Sequence, residues 1–317
     1  MEQNLSGSNI HWYPGHMTKA KRMIIDSLKD IDVVVELLDA RIPFASKNPD
    51  IEYLTKNKPK LLILNKYDLA SSRETERWAE YYRSKGCFVI WQNSLKADTG
   101  AFISAVRKLF SDKAEKYAKR GIMNKTIKII ILGIPNVGKS TLINALSGEK
   151  RARTEDRPGV TRGKQWISLK GNIALLDTPG ILWAKLENQH AALRLAMTGA
   201  IKDTVLDIED IAFRLLKILA KDYPENLKER YKLQNIGDDI FGLMREIGKK
   251  RGFMVKGGEI DTERVANVVL DEFRSGKLGR VSLETVDIFG DSDSVKKIAD
   301  ENIDGESIDG KNGDLQK

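Results

Sequence analysis

The sequence is poor in cysteine and in long apolar runs, and each shortage excludes a class of protein. One cysteine, Cys87, among 317 residues can form neither a disulfide framework nor a cysteine-based zinc site. The longest apolar runs, such as Ile129–Leu132, are strand-sized and far below the roughly 20 residues that cross a bilayer. Residues 1–9 lack the basic and apolar regions of a signal peptide. We therefore expect a cytoplasmic protein without a membrane segment, in which Cys87 is a small core residue.

Positive charge is abundant but unevenly placed. The net charge is +8, and residues 281–317 hold ten acidic residues and four lysines, so the remaining 280 residues carry +14. A strongly basic body indicates a polyanionic partner, with nucleic acid as the first candidate. Lysine-rich surfaces also keep many cytoplasmic proteins in solution, so charge alone leaves both interpretations open.

Short apolar runs alternate with helical patterns in the first part of the chain. This alternation predicts an α/β domain with a doubly wound, mostly parallel sheet over residues 1–185. After about residue 186 only amphipathic helical patterns follow, which predicts an all-helical domain over residues 186–280. The acidic tail, residues 281–317, has the polar composition of a disordered segment. The predicted strands are 32–40, 60–66, 87–91, 127–133, 165–169 and 172–178, and the predicted helices are 17–28, 73–85, 101–118, 140–146, 188–198, 206–220, 237–250 and 262–274.

The segment GIPNVGKS, residues 133–140, fits the phosphate-binding loop pattern G-x-x-x-x-G-K-[ST]. It follows a predicted strand and opens a predicted helix, which is the context that this pattern requires. Backbone N–H groups of such a loop, and the helix N-terminus behind it, bind phosphate oxygens. We expect Lys139 to reach the β- and γ-phosphates and the Ser140 hydroxyl to bind Mg²⁺. The predicted nucleotide-binding residues of this loop are Asn136, Val137, Gly138, Lys139, Ser140 and Thr141.

Two segments after this loop supply the elements that sense the γ-phosphate. In DRPGVTRG, residues 156–163, Thr161 is the candidate switch threonine that completes the Mg²⁺ shell. In LLDTPG, residues 175–180, Asp177 is placed to hold Mg²⁺ and the Gly180 N–H to contact the γ-phosphate. Each segment alone also fits an ordinary turn, but their order and spacing after the phosphate loop favour a nucleotide switch.

The base-reading elements lie upstream of the phosphate loop. In NKYD, residues 65–68, Asp68 can accept hydrogen bonds from guanine N1–H and N2–H₂, Lys66 can lie along the base, and Asn65 can tie the two loops together. QNSL follows the next strand, where Asn93, Ser94 and Leu95 complete the base site and a backbone N–H, such as that of Leu95, can contact guanine O6. The base reader therefore precedes the phosphate loop, which predicts a circularly permuted P-loop GTPase domain.

With these motifs in this order, the sequence resembles the circularly permuted ribosome-assembly GTPases. The resemblance implies GTP hydrolysis coupled to late maturation of the large ribosomal subunit. It also implies GTP/GDP, Mg²⁺ and K⁺ as cofactors, rRNA and ribosomal proteins as partners, and a monomer. It covers nearly the whole chain up to about Arg280, and the acidic tail is not part of it. The segments that carry it are WYPGHMTKAKR (12–22), LLDARIPFASKNP (37–49), NKYDL (65–69), GIPNVGKSTLIN (133–144), RPGVTR (157–162) and DTPGILW (177–183).

The residue that orients the attacking water is not where Ras-like enzymes have it. They place a glutamine after the Asp-x-x-Gly glycine, and here that residue is Ile181, which cannot polarise water. The resemblance implies that Asn136 supports a K⁺ ion and that His16 orients the water. Without the resemblance, the sequence favours a helix-start or RNA-contact role for His16. The expected catalytic residues are therefore His16, Lys139 and Thr161.

Three basic segments are candidates for RNA contact: residues 16–22, 149–157 and 248–258. The last combines basic residues with Phe253, and aromatic stacking together with phosphate contacts suits rRNA. A solvated helix end with a core phenylalanine explains the same pattern. Competing hypotheses are a non-ribosomal switch GTPase, for signalling or tRNA modification, and a nucleotide-bound scaffold without turnover. The predicted RNA-binding residues are Lys249, Lys250, Arg251, Phe253 and Lys256.

Overall fold

The structure is a computed structural model that describes residues 15–148, 166–176, 188–203, 207–255 and 257–289, with side chains described for all of these except 15–20 and 289. Within these ranges, no helix combines the length and apolarity needed to cross a bilayer. The α/β and helical parts follow each other along the chain in the predicted order.

A six-stranded sheet in the order β3-β2-β1-β4-β6-β5 organises the first part of the chain. All neighbouring strands are parallel except the β5–β6 pair, which is antiparallel. The central strands consist almost entirely of β-branched and leucine residues, as expected for strands covered on both faces. This confirms the predicted doubly wound fold. The strands are β1 Val33–Asp39, β2 Lys60–Asn65, β3 Phe88–Gln92, β4 Ile127–Gly133, β5 Trp166–Leu169 and β6 Ile173–Leu176.

Helices cover both faces of the sheet. One buried cluster joins one face to α4 (Thr99–Ala118) and α5 (Lys139–Ser147). On the opposite face, two clusters join the sheet to α1 (Gly15–Leu28), α2 (Pro49–Thr55) and α3 (Ser72–Ser84). Cys87 packs against one of these clusters but is only half-buried, so it is less buried than the predicted core residue.

The C-terminal part is helical and shares a core with the sheet. The cluster that contains α4 and α5 continues into it without interruption, which ties the two parts into one packed body. Short α2 and α8 were not predicted, because a helix of two turns shows little periodicity. The helices are α6 Gln189–Met197, α7 Ile208–Asp222, α8 Pro224–Tyr231, α9 Ile240–Arg251, α10 Thr262–Arg274 and α11 Val286–Phe289.

A short segment after α10, Arg280–Glu284, lies across the α/β part, and we call it the strap. Arg280 donates to the carbonyls of Tyr67 and Ala70 at 2.8 Å, and the Val281 amide donates to Leu69 O at 2.9 Å. The Leu283 amide donates to Arg41 O at 2.9 Å. Four of its residues, 281–284, are buried. The predicted start of the disordered tail at residue 281 was therefore wrong, because these residues make long-range contacts that local composition does not reveal.

Glu284 anchors the end of the strap in a fully buried position. Its carboxylate accepts hydrogen bonds from the amides of Phe44 at 2.7 Å and Ala45 at 3.1 Å, and it lies 3.9 Å from the Arg194 guanidinium. Burial raises the pKa of Glu284 to about 7, although Arg194 and the two amides oppose that shift. A carboxyl group that is half-protonated near neutral pH therefore holds the strap to the turn after β1.

Candidate nucleotide-binding site

The phosphate loop connects β4 to α5, and its backbone passes close to other groups at two positions where only glycine fits. At Gly133 an added Cβ would lie 2.8 Å from Leu37 O, and at Gly138 it would lie 2.4 Å from the Asn65 amide nitrogen. Gly138 also has a φ of 105°, and Asn136 has a φ of 56°, in the region that L-residues adopt at a cost. The loop is therefore kept open at the N-terminus of α5, where backbone N–H groups favour a phosphate.

Lys139 and Ser140 occupy the first turn of α5. The Lys139 ammonium is buried and donates to the carbonyls of Gly133 at 3.1 Å and Ile134 at 3.0 Å. It therefore spans the loop that would surround the phosphates. Ser140 and Thr141 follow on the same turn and are half-buried. This donor set fits the phosphates and Mg²⁺ of a nucleotide.

Asn65 is the buried residue that joins the base-reading loops to the phosphate loop. Its side-chain nitrogen donates to Val137 O at 2.6 Å, and its side-chain oxygen accepts from the Ser94 amide at 3.0 Å and from the Ser94 hydroxyl at 2.8 Å. The predicted link between the base-reading loop and the phosphate loop is therefore present as hydrogen bonds of Asn65. Three loops that are distant in the chain meet at one amide group, at the carboxyl edge of the sheet where ligands bind in open α/β folds.

Lys66 follows Asn65 and is held by two partners. Its ammonium donates to Asn136 O at 2.6 Å and to the Asp39 carboxylate at 3.1 Å. Lys66 itself has a φ of 58°, which turns the chain sharply after β2. Burial lowers the pKa of Lys66, and Asp39 acts in the opposite direction. The stem of Lys66 thus lies beside the phosphate loop, and Asp68 is exposed two residues further on.

Asp39, at the end of β1, is a site residue that the sequence reasoning missed. It forms a buried bidentate pair with Arg41 at 2.8 and 2.9 Å, in addition to its bond with Lys66. Burial opposes ionisation of Asp39, but Arg41 and Lys66 outweigh burial and hold its pKa well below the usual range. The segment LLDAR contained the signal, because an aspartate at the end of a buried strand requires a cationic partner.

Arg41 carries this network into the helical part. Its guanidinium lies 5.1 Å from the centre of the Phe273 ring and donates to Arg274 O at 3.5 Å. The phosphate loop makes a second connection, because the Asn136 side chain donates to Gly199 O, just after α6, at 2.6 Å. The phosphate loop therefore contacts the helical part directly, and the base-reading loop is connected to it through Asp39 and Arg41. Because the side-chain nitrogen of Asn136 bonds to Gly199 O, a cation bound at Asn136 would have to contact the side-chain oxygen.

The base-site residues after β3 cap a short turn. Asn93 begins the 3-10 turn Ser94–Lys96, and its side chain accepts from the Leu95 amide at 2.8 Å. The Leu95 side chain is 79% exposed. The amide expected to contact guanine O6 therefore has an Asn93 partner, and it would have to exchange or share that partner to bind a base.

Several predicted functional residues fall outside the description. Thr161, Asp177, Gly180 and Lys256 lie outside the described residues, and so does the side chain of His16, whose backbone lies in the first turn of α1. Of the basic segment 149–157, no residue is described.

The predicted RNA-contact residues around the end of α9 divide into two groups. Lys249 and Lys250 are exposed in its last turn. Arg251 instead pairs with Glu272 at 3.0 Å and lies over the Tyr231 ring at 5.4 Å. Phe253 is half-buried against the core, with the Arg264 guanidinium 4.5 Å from its ring centre. Arg251 and Phe253 thus have intramolecular roles, and the two lysines are the residues that face solvent.

A phosphate loop tied to an Asn-Lys-x-Asp loop on the same edge of a parallel sheet defines a P-loop GTPase domain, here with the base reader first in the chain. Sequence models of two families match: the RsgA GTPase family over residues 23–187 and the 50S ribosome-binding GTPase family over residues 128–250. Ribosome biogenesis GTPase A of Bacillus cereus is 47% identical over 91% of this chain and 98% of its own length. The corresponding protein of Thermotoga maritima is 32% identical over 87% and 94%. The chain belongs to the ribosome biogenesis GTPase A family.

Solved structures agree with this assignment. A GDP-bound YlqF structure superposes with a TM-score of 0.61 at 28% identity, over 84% of this chain and all of the other. The GNP-bound YlqF from T. maritima gives a TM-score of 0.60, over 84% of this chain and 98% of the other. The expected family and the permuted fold are thereby confirmed, and the chain is a GTPase of the ribosome-assembly class.

Proposed function

We propose that this protein binds the large ribosomal subunit and couples Mg²⁺-dependent GTP hydrolysis to a late step in its assembly. The observation that carries the proposal is the connection of both nucleotide loops to the helical part. The phosphate loop bonds directly through Asn136 to Gly199 O, and Lys66 of the base-reading loop is linked through Asp39 and Arg41 to α10. A change at the γ-phosphate can therefore bias how a subunit-binding surface is held. Family membership and the basic body support the ribosomal partner.

Magnesium would be held by Ser140 together with Thr161 and Asp177. Among the described residues, no group of three or more His, Cys, Asp or Glu side chains could hold a metal. This fits an ion that takes most of its ligands from phosphates and water. When bound, Mg²⁺ would neutralise charge on the β- and γ-phosphates. Lys139 would stabilise the same charge from inside the loop.

For catalysis we propose that His16 orients the attacking water and that K⁺, bound through Asn136, replaces a positive finger. A histidine near the start of α1, followed by basic residues, can remain neutral and accept a proton. For RNA contact we propose Lys249 and Lys250, with Lys256 beyond them. The protein would act as a cytoplasmic monomer with a GTPase unit over residues 1–185 and a helical unit over residues 186–280. The strap would hold the second unit to the first, and the acidic tail would follow the strap.

Sedimentation with purified large subunits, with a GTP analogue or GDP present, tests the partner. We expect nucleotide-dependent co-sedimentation with large but not small subunits, and faster phosphate release when large subunits are added. Correct placement of one water-orienting group is worth roughly 10²-fold in rate. Lack of co-sedimentation with either nucleotide would refute the ribosomal partner and favour a non-ribosomal switch GTPase.

Two variants separate binding from catalysis. His16→Ala should keep subunit binding and lose most of the stimulation, whereas His190→Ala, in α6, should keep both. Lys249→Glu with Lys250→Glu should lose subunit binding while basal turnover survives. The matched control is Lys217→Glu with Lys221→Glu, two exposed lysines of α7. Full stimulation of the His16 variant would mean that another group orients the water.

A further inference from the structure

The amino edge of the sheet, opposite the nucleotide loops, carries a strong excess of positive charge. The described segments that lead into β1, β2, β3, β4 and β6 contain eleven lysine and arginine residues and two aspartates. The described segments that follow β1–β4 at the carboxyl edge contain five such cations and three acidic residues. Among the described segments that flank the strands, positive charge is therefore greater on the edge that the nucleotide does not use. The amino-edge surface comprises residues 29–32, 56–60, 83–88, 119–128 and 170–172.

The cations of this surface are crowded. Lys113, on the adjoining helix α4, and Lys125 both approach the same oxygen of Asp32, which is 3% exposed. Burial lowers the pKa of Lys58, and Lys113 lowers it further. Like charges at this density oppose folding. A bound polyanion relieves that repulsion, whereas charges needed only for solubility could be scattered over the whole molecule.

Aromatic rings accompany the cations. A groove of about 590 Å³ lies between the segments that lead into β2 and β3, and Lys56, Lys58, Lys60 and Arg83 line it together with Glu52. Glu52 is paired with Lys47 at 2.7 Å. The Lys56 ammonium lies 5.4 Å from the ring centre of Tyr53, which is 72% exposed, and the Arg83 guanidinium lies 5.3 Å from that of Trp91. The cations of the groove suit phosphates, and the exposed Tyr53 ring next to Lys56 suits an unstacked base.

We propose that the amino-edge surface binds the phosphate backbone of RNA. From β3 to β6 it crosses five strands, which is about 19 Å at the spacing of neighbouring strands, so it can contact several successive phosphates. RNA bound there leaves the nucleotide loops at the opposite edge accessible. The proposal deepens the function proposed above and rests on its ribosomal partner, but it names a contact separate from Lys249 and Lys250.

A neutralised variant of the full chain tests the proposal. Lys56→Gln, Lys85→Gln and Arg120→Gln combine three exposed cations of the surface, none of which has an ion-pair partner among the described residues. The matched control is Arg73→Gln, Lys217→Gln and Lys221→Gln, which are exposed elsewhere and remove the same charge. Unfolding temperature and basal GTP hydrolysis verify that both variants are folded.

The probes are a labelled RNA duplex of about 20 base pairs and purified large subunits, titrated across salt from about 0.05 to 0.4 M. We expect the surface variant to bind RNA about 10-fold or more weakly, and its slope of log K against log salt to fall by about 2 to 3. The control should change binding less than about 2-fold. Equal losses in both variants, or no loss in either, would overturn the proposal.

Two further measurements, binding to phosphatidylserine vesicles and sedimentation of the native protein, distinguish the remaining explanations. If the surface variant loses binding to phosphatidylserine vesicles but keeps its affinity for RNA, the surface binds membranes and the RNA proposal is wrong. If the native protein does not sediment with large subunits, the proposed ribosomal partner is wrong. If the native protein sediments and the surface variant does so with the same affinity and salt slope, only the amino-edge inference fails.

Discussion

At the scale of single residues, base selection depends on Asp68. Its exposed carboxylate follows β2 and can accept two hydrogen bonds from guanine, each worth about 1.5–3 kcal/mol when a charge is involved. Asp68→Asn should therefore weaken GTP binding roughly 100-fold and improve binding of xanthosine nucleotides, which present an acceptor at position 2. Titration with both nucleotides measures the change. An unaltered affinity for GTP would show that NKYD serves only as a turn.

Asp39 positions Lys66 and should matter without touching the nucleotide. Asp39→Asn removes the charge that holds both Lys66 and Arg41, and breaking a buried pair in this way is costly. We expect GDP affinity to fall about 10-fold, measured by titration of the folded protein. Asp32→Asn is the matched control, because Asp32 is a buried aspartate with lysine partners at the other end of β1. It should lose stability but retain GDP affinity, and parallel losses of affinity would contradict a specific role for Asp39.

Asn136 is expected to make turnover sensitive to the monovalent cation. Basal hydrolysis should rise several-fold when Na⁺ is replaced by K⁺, and Asn136→Ala should remove that difference. The same substitution breaks the bond to Gly199 O, so a lower rate alone would not distinguish the two roles. The ratio of rates in K⁺ and Na⁺ does distinguish them, and equal rates in the native protein would exclude the cation.

At the scale of elements, the contribution of the strap to the free energy of unfolding should depend on pH through Glu284. Its pKa of about 7 in the folded protein exceeds the ordinary value near 4.3, so the folded state binds the proton more tightly than the unfolded state. The stabilisation is complete below the unfolded pKa and is lost as pH rises through about 7, with an upper limit of about 4 kcal/mol. Glu284→Gln should remove this part of the pH dependence of unfolding. Identical pH profiles for the two proteins would show that the carboxyl group does not titrate there.

The helices and strands also show which parts of the fold local sequence patterns can predict. Apolar runs predicted all six strands, because central parallel strands are covered on both faces and need no partner to be recognised. The two-turn helices α2 and α8 were not predicted, since each buries only two residues and shows little periodicity. Within the site, the two loops were predicted from their motifs, but the Asp39–Lys66 pair depends on β1 and β2 being neighbours. The strap was missed because its partners lie some 210 residues upstream.

At the scale of the whole molecule, two truncations should separate the acidic tail from the strap. A chain that ends at Phe289 keeps the strap and should bind GDP like the full protein. A chain that ends at Gly279 loses the hydrogen bonds to the Tyr67–Ala70 turn and to Arg41, and we expect at least a 10-fold weaker affinity for GDP. Nucleotide titration and thermal unfolding of both chains measure the difference. Equal affinities would mean that the strap does not support the base reader.

The strap has a consequence for how the protein is made. The guanine-reading turn is translated early, and the residue that holds its carbonyls, Arg280, is added some 210 residues later. At about 5–20 residues per second, that interval is roughly 10–40 s. A nascent chain therefore carries an incomplete base reader until synthesis is nearly finished. Fragments released by abortive translation before Arg280 would bind GTP more weakly than the finished protein and would compete poorly with it.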